Sequence, residues 1–248
     1  MIFNIVRKEI KSLFASPMGW VILALLQFVF GTFFLIGIDQ YFQTMSGIMR
    51  PEERVGVTEF VGRSVFGVGS FVMLFAVPLL SMSLISEERR QQTLSFLFSA
   101  PLSLTEIVLG KFLGLVSFLT IVIFLMSSMV ITLNLWSDID FGYVASNALG
   151  LWLLVASFSA LGVYVSSLTQ QPVVAGIITF VVLFALLILD HFFAGDPNSA
   201  MAHLSLMRHF EPFSHGLVDT KDLAYFLLFI ITFLTLTIRR LDADRLRG

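Results

Sequence analysis

The chain has 248 residues, 57% of them hydrophobic and only 13% charged, with 27 phenylalanines. That charged share is about half what a soluble domain carries, and the mean hydropathy of +0.91 makes the bilayer the solvent to assume. A net charge of −2 gives no footprint for nucleic acid, and the lack of any cysteine excludes disulfides, thiolate catalysis and cysteine metal sites.

The first segment, "MIFNIVRKEIKSLFASP", sets Ile2, Ile5, Val6, Ile10, Leu13 and Phe14 at helical spacing. Arg7, Lys8, Glu9 and Lys11 fall between them. This predicts an amphipathic helix over 1–16 lying along the membrane surface, rather than a cleaved signal peptide.

A helix needs about 20 apolar residues to cross the hydrocarbon core. Six stretches qualify: 18–38, 64–86, 112–136, 142–168, 173–193 and 220–239. Pro17 stands where a helix can start, and Pro78 can kink the second span. The run from Phe141 to Leu189 has no charge and is too long for one span. It divides at "SSLTQQP", Ser166 to Pro172, where polar residues cluster before a proline. The last span is short and is expected to tilt against its neighbours. Trp20, Trp136 and, loosely, Trp152 fall near span ends as interfacial anchors. No linker divides the chain, so 1–248 reads as one transmembrane domain of all-α class.

Six spans put both termini on one side. With both ends cytoplasmic, Arg7, Lys8, Lys11, Arg89, Arg90, Lys111, Arg239, Arg240, Arg245 and Arg247 face inward. Arg50, Arg54, Arg63, Arg208 and Lys221 face outward, an asymmetry of ten against five that favours this orientation by the positive-inside rule. Two outer segments are then long, 39–63 and 194–222. The second mixes apolar residues at helical spacing with prolines and histidines, and predicts a short re-entrant helix buried by protein.

The first inner loop reads "SEERRQQTLSFLFSAPLSLTEIVLGK". It predicts a helix from Glu87 to Phe98, with Leu94, Leu97 and Phe98 on one face and a Glu87–Arg90 pair one turn apart. Pro101 ends it near Ala100. Ser103 and Glu106 have capping-box spacing and start the next helix, which runs through Lys111 into the membrane. By charge alone the segment reads as a solvated loop; its apolar residues call for a protein partner or the bilayer surface.

Those residues also carry a resemblance. Glu88 and Arg89, Thr93 and Leu94, Ala100 and Pro101, Glu106 and Ile107, Gly110 and Lys111 resemble the coupling-helix region of type-2 ABC export permeases. The stretch "HFEPFSHGLVDTKDLAYFLLF", His209 to Phe229, resembles the gliding-motility type of these permeases. The resemblance implies a half-transporter in the inner membrane that pairs with a second copy or a related membrane subunit. It implies a cytosolic ABC ATPase dimer, which carries the ATP and Mg, docked on the coupling helix and the amino-terminal helix. The implied coupling residues are Glu87, Glu88, Arg89, Arg90, Thr93, Leu94, Leu97 and Phe98, with Arg7, Lys8 and Lys11 beside them and Glu88 and Arg89 as polar contacts.

No nucleotide site is expected in this chain. Gly110-Lys111 precedes Phe112, and Thr105 stands where a phosphate loop needs its first glycine. His203, His209, Glu211 and His215 lack the spacing of a zinc peptidase, so no metal or cofactor is expected and packing roles read better. Asp190 and His191 read as a gate pair or simply a span end. The spans from 64–86, 112–137 and 141–189 hold no ionisable residue, which counts against an ion-coupled carrier and favours an apolar conduit for an amphipathic cargo. Small residues on the fourth span, Ala156, Ser157, Ser159, Ala160 and Gly162, read first as packing. Two rival readings stay open: a complex that transmits force to an extracytoplasmic accessory protein, and a membrane-embedded hydrolase using the outer histidines.

Overall fold

The computed structural model describes residues 2–46, 56–93, 103–193 and 205–246; the side chains of 189–193 lie outside the description. All regular structure among the described residues is helical. In chain order the helices are α1 (Ile2–Ala15), α2 (Pro17–Met45), α3 (Val57–Ser81), α4 (Ser83–Arg90) and α5 (Leu104–Ile131). After a 3-10 turn (Thr132–Leu135) come α6 (Phe141–Leu168), α7 (Pro172–Phe193), α8 (Leu206–Ser214) and α9 (Thr220–Arg245).

Local chemistry sets the ends. Ser16 caps α2 by accepting from the Met18 amide, with Pro17 in the first turn. Ser103 and Glu106 close a reciprocal capping box at the start of α5. Asp140 caps α6 through the Tyr143 amide. Each cap satisfies amides that would otherwise lack partners where the helix begins.

Five helices, with α3 and α4 counted together, are long and apolar enough to cross a membrane: Pro17–Met45, Val57–Arg90, Leu104–Leu135, Phe141–Leu168 and Thr220–Arg245. The described apolar portion of α7 is shorter, Pro172–Ile188. A 29-residue helix such as α2 rises ~44 Å, well beyond the ~30 Å hydrocarbon core.

The bundle is built round α6, which packs against α3, α5, α7, α8 and α9. Its small residues allow this. Ala156, Ser157, Ser159 and Ala160 are all buried, and the Ser157 and Ser159 hydroxyls donate to their own helix at Leu153 O and Val155 O. The cluster therefore serves the interior of this chain. Trp152 is no interfacial anchor: it sits in the middle of α6 and donates its ring N–H to Thr120 Oγ1 of α5, 2.9 Å away.

By contrast, α2 buries only Gly19, Leu26, Phe30 and Gly37. Val21, Leu25, Phe28, Leu35 and Ile36 of α2, with Val173, Ile177 and Val181 of α7 and Leu228 and Ile231 of α9, stay exposed, as lipid-facing side chains do.

At the end of the bundle opposite the chain termini, α8 folds back along α6. The Phe213 side chain lies where a Cβ on Gly150 would meet it at 2.4 Å. Ser146 Oγ donates to the carbonyl of Phe213 at 3.2 Å. Gly150 is nine residues inside α6, so α8 penetrates ~14 Å along that helix.

Candidate functional site

The site is the charged base of the bundle, where α1, α4, α5 and the end of α9 meet. It begins at a break in the second long helix. Pro78 lies inside α3, and one turn later the ladder is interrupted at Met82. In an unbroken helix the amides of Ile85 and Ser86 would donate to the carbonyls of Ser81 and Met82. Here both donate to Ser166 Oγ of α6, at 3.1 and 3.0 Å. The same hydroxyl donates to Met82 O at 2.9 Å. A neighbouring side chain inserted into the ladder is a recognised cause of a kink. One turn back on α6, Gly162 makes room: a Cβ there would sit 2.2 Å from Ser81 Oγ. Gly176 of α7 leaves space for the Met82 side chain, 3.2 Å from where its Cβ would be.

From this break in the ladder α4 continues as a short lever and stops abruptly. Gln92 adopts φ 56°. Its amide donates to Arg89 O at 3.1 Å, and the Thr93 amide to Glu88 O at 3.0 Å. This is a Schellman stop with glutamine where glycine is usual. The continuous helix expected from Glu87 to Phe98 is therefore corrected: the helix begins at Ser83 and ends at Arg90. Nothing in the composition of Gln91 and Gln92 announces a stop, and helical periodicity continues through them. Leu94, Leu97 and Phe98 lie outside the described residues.

The ions of α4 divide by direction. Glu87 pairs with Arg90 at 2.6 Å as expected from their spacing, and Arg90, Gln91, Gln92 and Thr93 are exposed. Glu88 and Arg89 turn inward instead. Glu88 Oε1 is 2.8 Å from Lys111 Nζ of α5, and Arg89 pairs with Asp244 of α9. Lys111 also meets Glu9 of α1 at 3.1 Å. Arg240 lies 3.8 Å from Asp244. Four elements from distant parts of the sequence are thus tied by charge at one end.

Lys111 is only 3% exposed, so its charge depends on both carboxylates. An isolated buried ammonium would lose several kcal/mol of hydration. The lysine reaches them because α1 lies unusually close to α5. Gly110 and Gly114 are four apart and form a groove. A Cβ on Gly110 would meet Ile5 at 2.6 Å, and one on Gly114 would meet Glu9 at 2.6 Å. The apolar stripe read from the sequence, Ile2 to Phe14, is half-buried against this groove. The opposite stripe, with Arg7, Lys8 and Lys11, is exposed.

From the sequence, Glu9, Lys111 and Ser166 are named without partners, and Asp244 is not marked. Signals for three existed. Glu9 is the one acid within the apolar stripe of α1, Lys111 sits inside a Gly-x-x-x-Gly spacing, and Ser166 follows Gly162 by four. The break expected over Ser166 to Pro172 falls after Leu168, where the fourth span was expected to end, and Ser166 is fully buried within α6.

The opposite end holds the histidines. His209 Nδ1 lies 2.6 Å from Asp222 Oδ1, and its ring stacks on Tyr225 at 3.9 Å. His215 borders a cavity of about 440 Å³ lined also by Glu59, Asp140, Tyr143, Ser146 and Val218. Among the described residues no group of three or more potential ligands is placed to hold a metal ion. His203 lies outside the described residues, as do the side chains of Asp190 and His191.

Comparison with known proteins adds the family. No curated protein matches the chain. A family model described as ABC-2 family transporter protein matches residues 3–246, nearly its whole length, including the lever and the three helices tied to it by charge. This multi-pass, helical membrane protein therefore belongs to the ABC-2 family of transporter proteins, as a membrane subunit whose family works with ABC ATPases.

Proposed function

We propose that this chain is one membrane half of an ATP-driven exporter, coupled to a separate cytosolic ATPase pair that binds the ATP and Mg. Its six spans would be α2, α3 with α4, α5, α6, α7 and α9, with both termini in the cytoplasm and α8 as a re-entrant helix on the outer side. The observation that carries this reading is the charge-tied base. The lever α4, the amino-terminal helix and the end of α9 meet at one end, and the cations Arg7, Lys8, Lys11, Arg90 and Arg239 lie on the same elements, in accord with the positive-inside rule.

The docking surface is the exposed tip of the lever, Arg90 to Thr93, with the stretch that contains Leu94, Leu97 and Phe98, flanked by Arg7, Lys8 and Lys11. Glu87 holds Arg90 in place. Glu88 and Arg89 act one step behind the surface: they fasten the lever to α5 and α9, so a push at the tip reaches those helices. A second copy, or a related membrane subunit, would cover part of the exposed apolar faces of α2, α7 or α9. The apolar spans suit an amphipathic cargo.

Purification of the chain in mild detergent from its native host should recover a nucleotide-binding subunit that dissociates when the tip is replaced by glycine and serine. Recovery of the chain with no such subunit contradicts the reading. Reconstituted vesicles then separate export from force transmission to an outer partner: the former shows ATP-dependent accumulation of an amphipathic lipid probe, the latter hydrolysis alone.

A further inference from the structure

We propose that Ser166 is the mechanical joint through which the lever α4 moves the central helix α6, a positioning role that rests on the docking reading above. Three observations converge on this one hydroxyl. It is fully buried. It spends its whole hydrogen-bonding capacity on the break: two acceptor positions on the amides of Ile85 and Ser86, its proton on the carbonyl of Met82. And α4 has no cap of its own, since Met82 supplies no side-chain hydrogen bond, so Ser166 does from another helix what an N-cap serine does within one.

The consequence is a connection of defined direction. The first turn of α4 is held by hydrogen bonds to α6, not by continuation of the α3 ladder alone. Pro78 has already removed one amide from that ladder. Rotation of α4 at its tip therefore reaches α6 directly at Ser166, as well as α3 through the chain. Helix α6 then runs from the break to Phe141, and Tyr143 near its far end borders the outer cavity with Val218. A displacement entering at Ser166 leaves at the outer cavity, along the most buried helix of the bundle.

Other serines on α6 do not share this arrangement. Ser159 is as buried, but its hydroxyl donates to Val155 O of its own helix. It makes the matched control: Ser159→Ala removes a buried hydroxyl from α6 without touching the joint.

The test uses the whole complex of this chain with its ATPase in lipid vesicles. The chain lacks cysteine, so Val218→Cys places one reporter at the outer cavity, where the native side chain is exposed. The labelling rate of this cysteine by an impermeant maleimide is read with and without ATP plus vanadate. In the otherwise native chain and in Ser159→Ala, nucleotide trapping changes the rate. In Ser166→Ala that change is lost while the ATPase still hydrolyses ATP. Retention of the nucleotide response in Ser166→Ala overturns the proposal, and so does loss of response together with hydrolysis, which marks general damage rather than uncoupling. Failure of the unmodified complex to form or to hydrolyse ATP instead refutes the docking reading.

Hydrogen exchange on the unmutated complex keeps the proposal testable if Ser166→Ala does not fold. The Ile85 and Ser86 amides should be protected with α6, about tenfold or more above the Gln91–Thr93 end. Exchange of Ile85 and Ser86 as fast as that end overturns the joint.

Discussion

Replacing Lys111 by methionine tests the charged base most severely. The lysine is 3% exposed and its ammonium lies 3.1 Å from Glu9 and 2.8 Å from Glu88. Methionine fills nearly the same volume, so the packing of α5 survives and only the charge is lost. Two carboxylates then face each other at most ~6 Å apart, and at an effective dielectric of about 20 their repulsion is roughly 3 kcal/mol. That agrees with the ~3–5 kcal/mol typical of removing one partner from a buried ion pair. Two outcomes follow: a lower midpoint for unfolding in mixed micelles, and release of α1 from its groove. The second is read with Val6→Cys, half-buried against α5 beside Gly114, whose labelling should quicken. Adding Glu9→Gln and Glu88→Gln to Lys111→Met removes the repulsion and should recover most of the loss. Unchanged stability in the single variant, or no recovery in the triple, refutes the reasoning.

Further predictions follow from close approaches and from the lever's end. Alanine at both Gly110 and Gly114 should push α1 off α5, at a cost of about 1–3 kcal/mol, with faster labelling of Val6→Cys. Gly162→Ala places a methyl 2.2 Å from Ser81 Oγ and should destabilise the break similarly, seen as faster hydrogen exchange at Ile85 and Ser86. Gln92→Gly relieves a left-handed residue at φ 56° and should strengthen the Schellman stop by about 1 kcal/mol, measured as slower exchange of the Thr93 amide, which donates to Glu88 O; Gln92→Val should do the reverse.

What the sequence made legible, and what it hid, divides along physical lines. Helices announced by uncharged length and by caps were readable: the stretch 142–168 is Phe141–Leu168, 173–193 is Pro172–Phe193, and the Ser103–Glu106 box lies where its spacing put it. The amphipathic stripe of α1 was readable too, but not its destination. A stripe shows which side is buried and is silent on whether lipid or protein buries it; here the Gly110–Gly114 groove supplies the answer.

The lever shows the harder limit. Glu87 and Arg90 pair within one helix, and local spacing finds such pairs. Glu88 with Lys111 and Arg89 with Asp244 span 23 and 155 residues, and no local pattern selects those partners. The stop at Gln92 is hidden for another reason. Glutamine is a good helix former, so its left-handed backbone comes from the Schellman hydrogen bonds around it and not from its own preference. Ser166 was obscured by its neighbours: "SSLTQQP" reads as a polar turn, yet its first two serines are buried in α6.

Side-specific labelling of the lever tip tests the central claim most directly. Gln91→Cys, exposed just past the end of α4 and unique in a chain without cysteine, should react with an impermeant maleimide in inverted vesicles only. The bound ATPase should shield it there. Reaction from the outer side, or a rate that the ATPase leaves unchanged, contradicts the account.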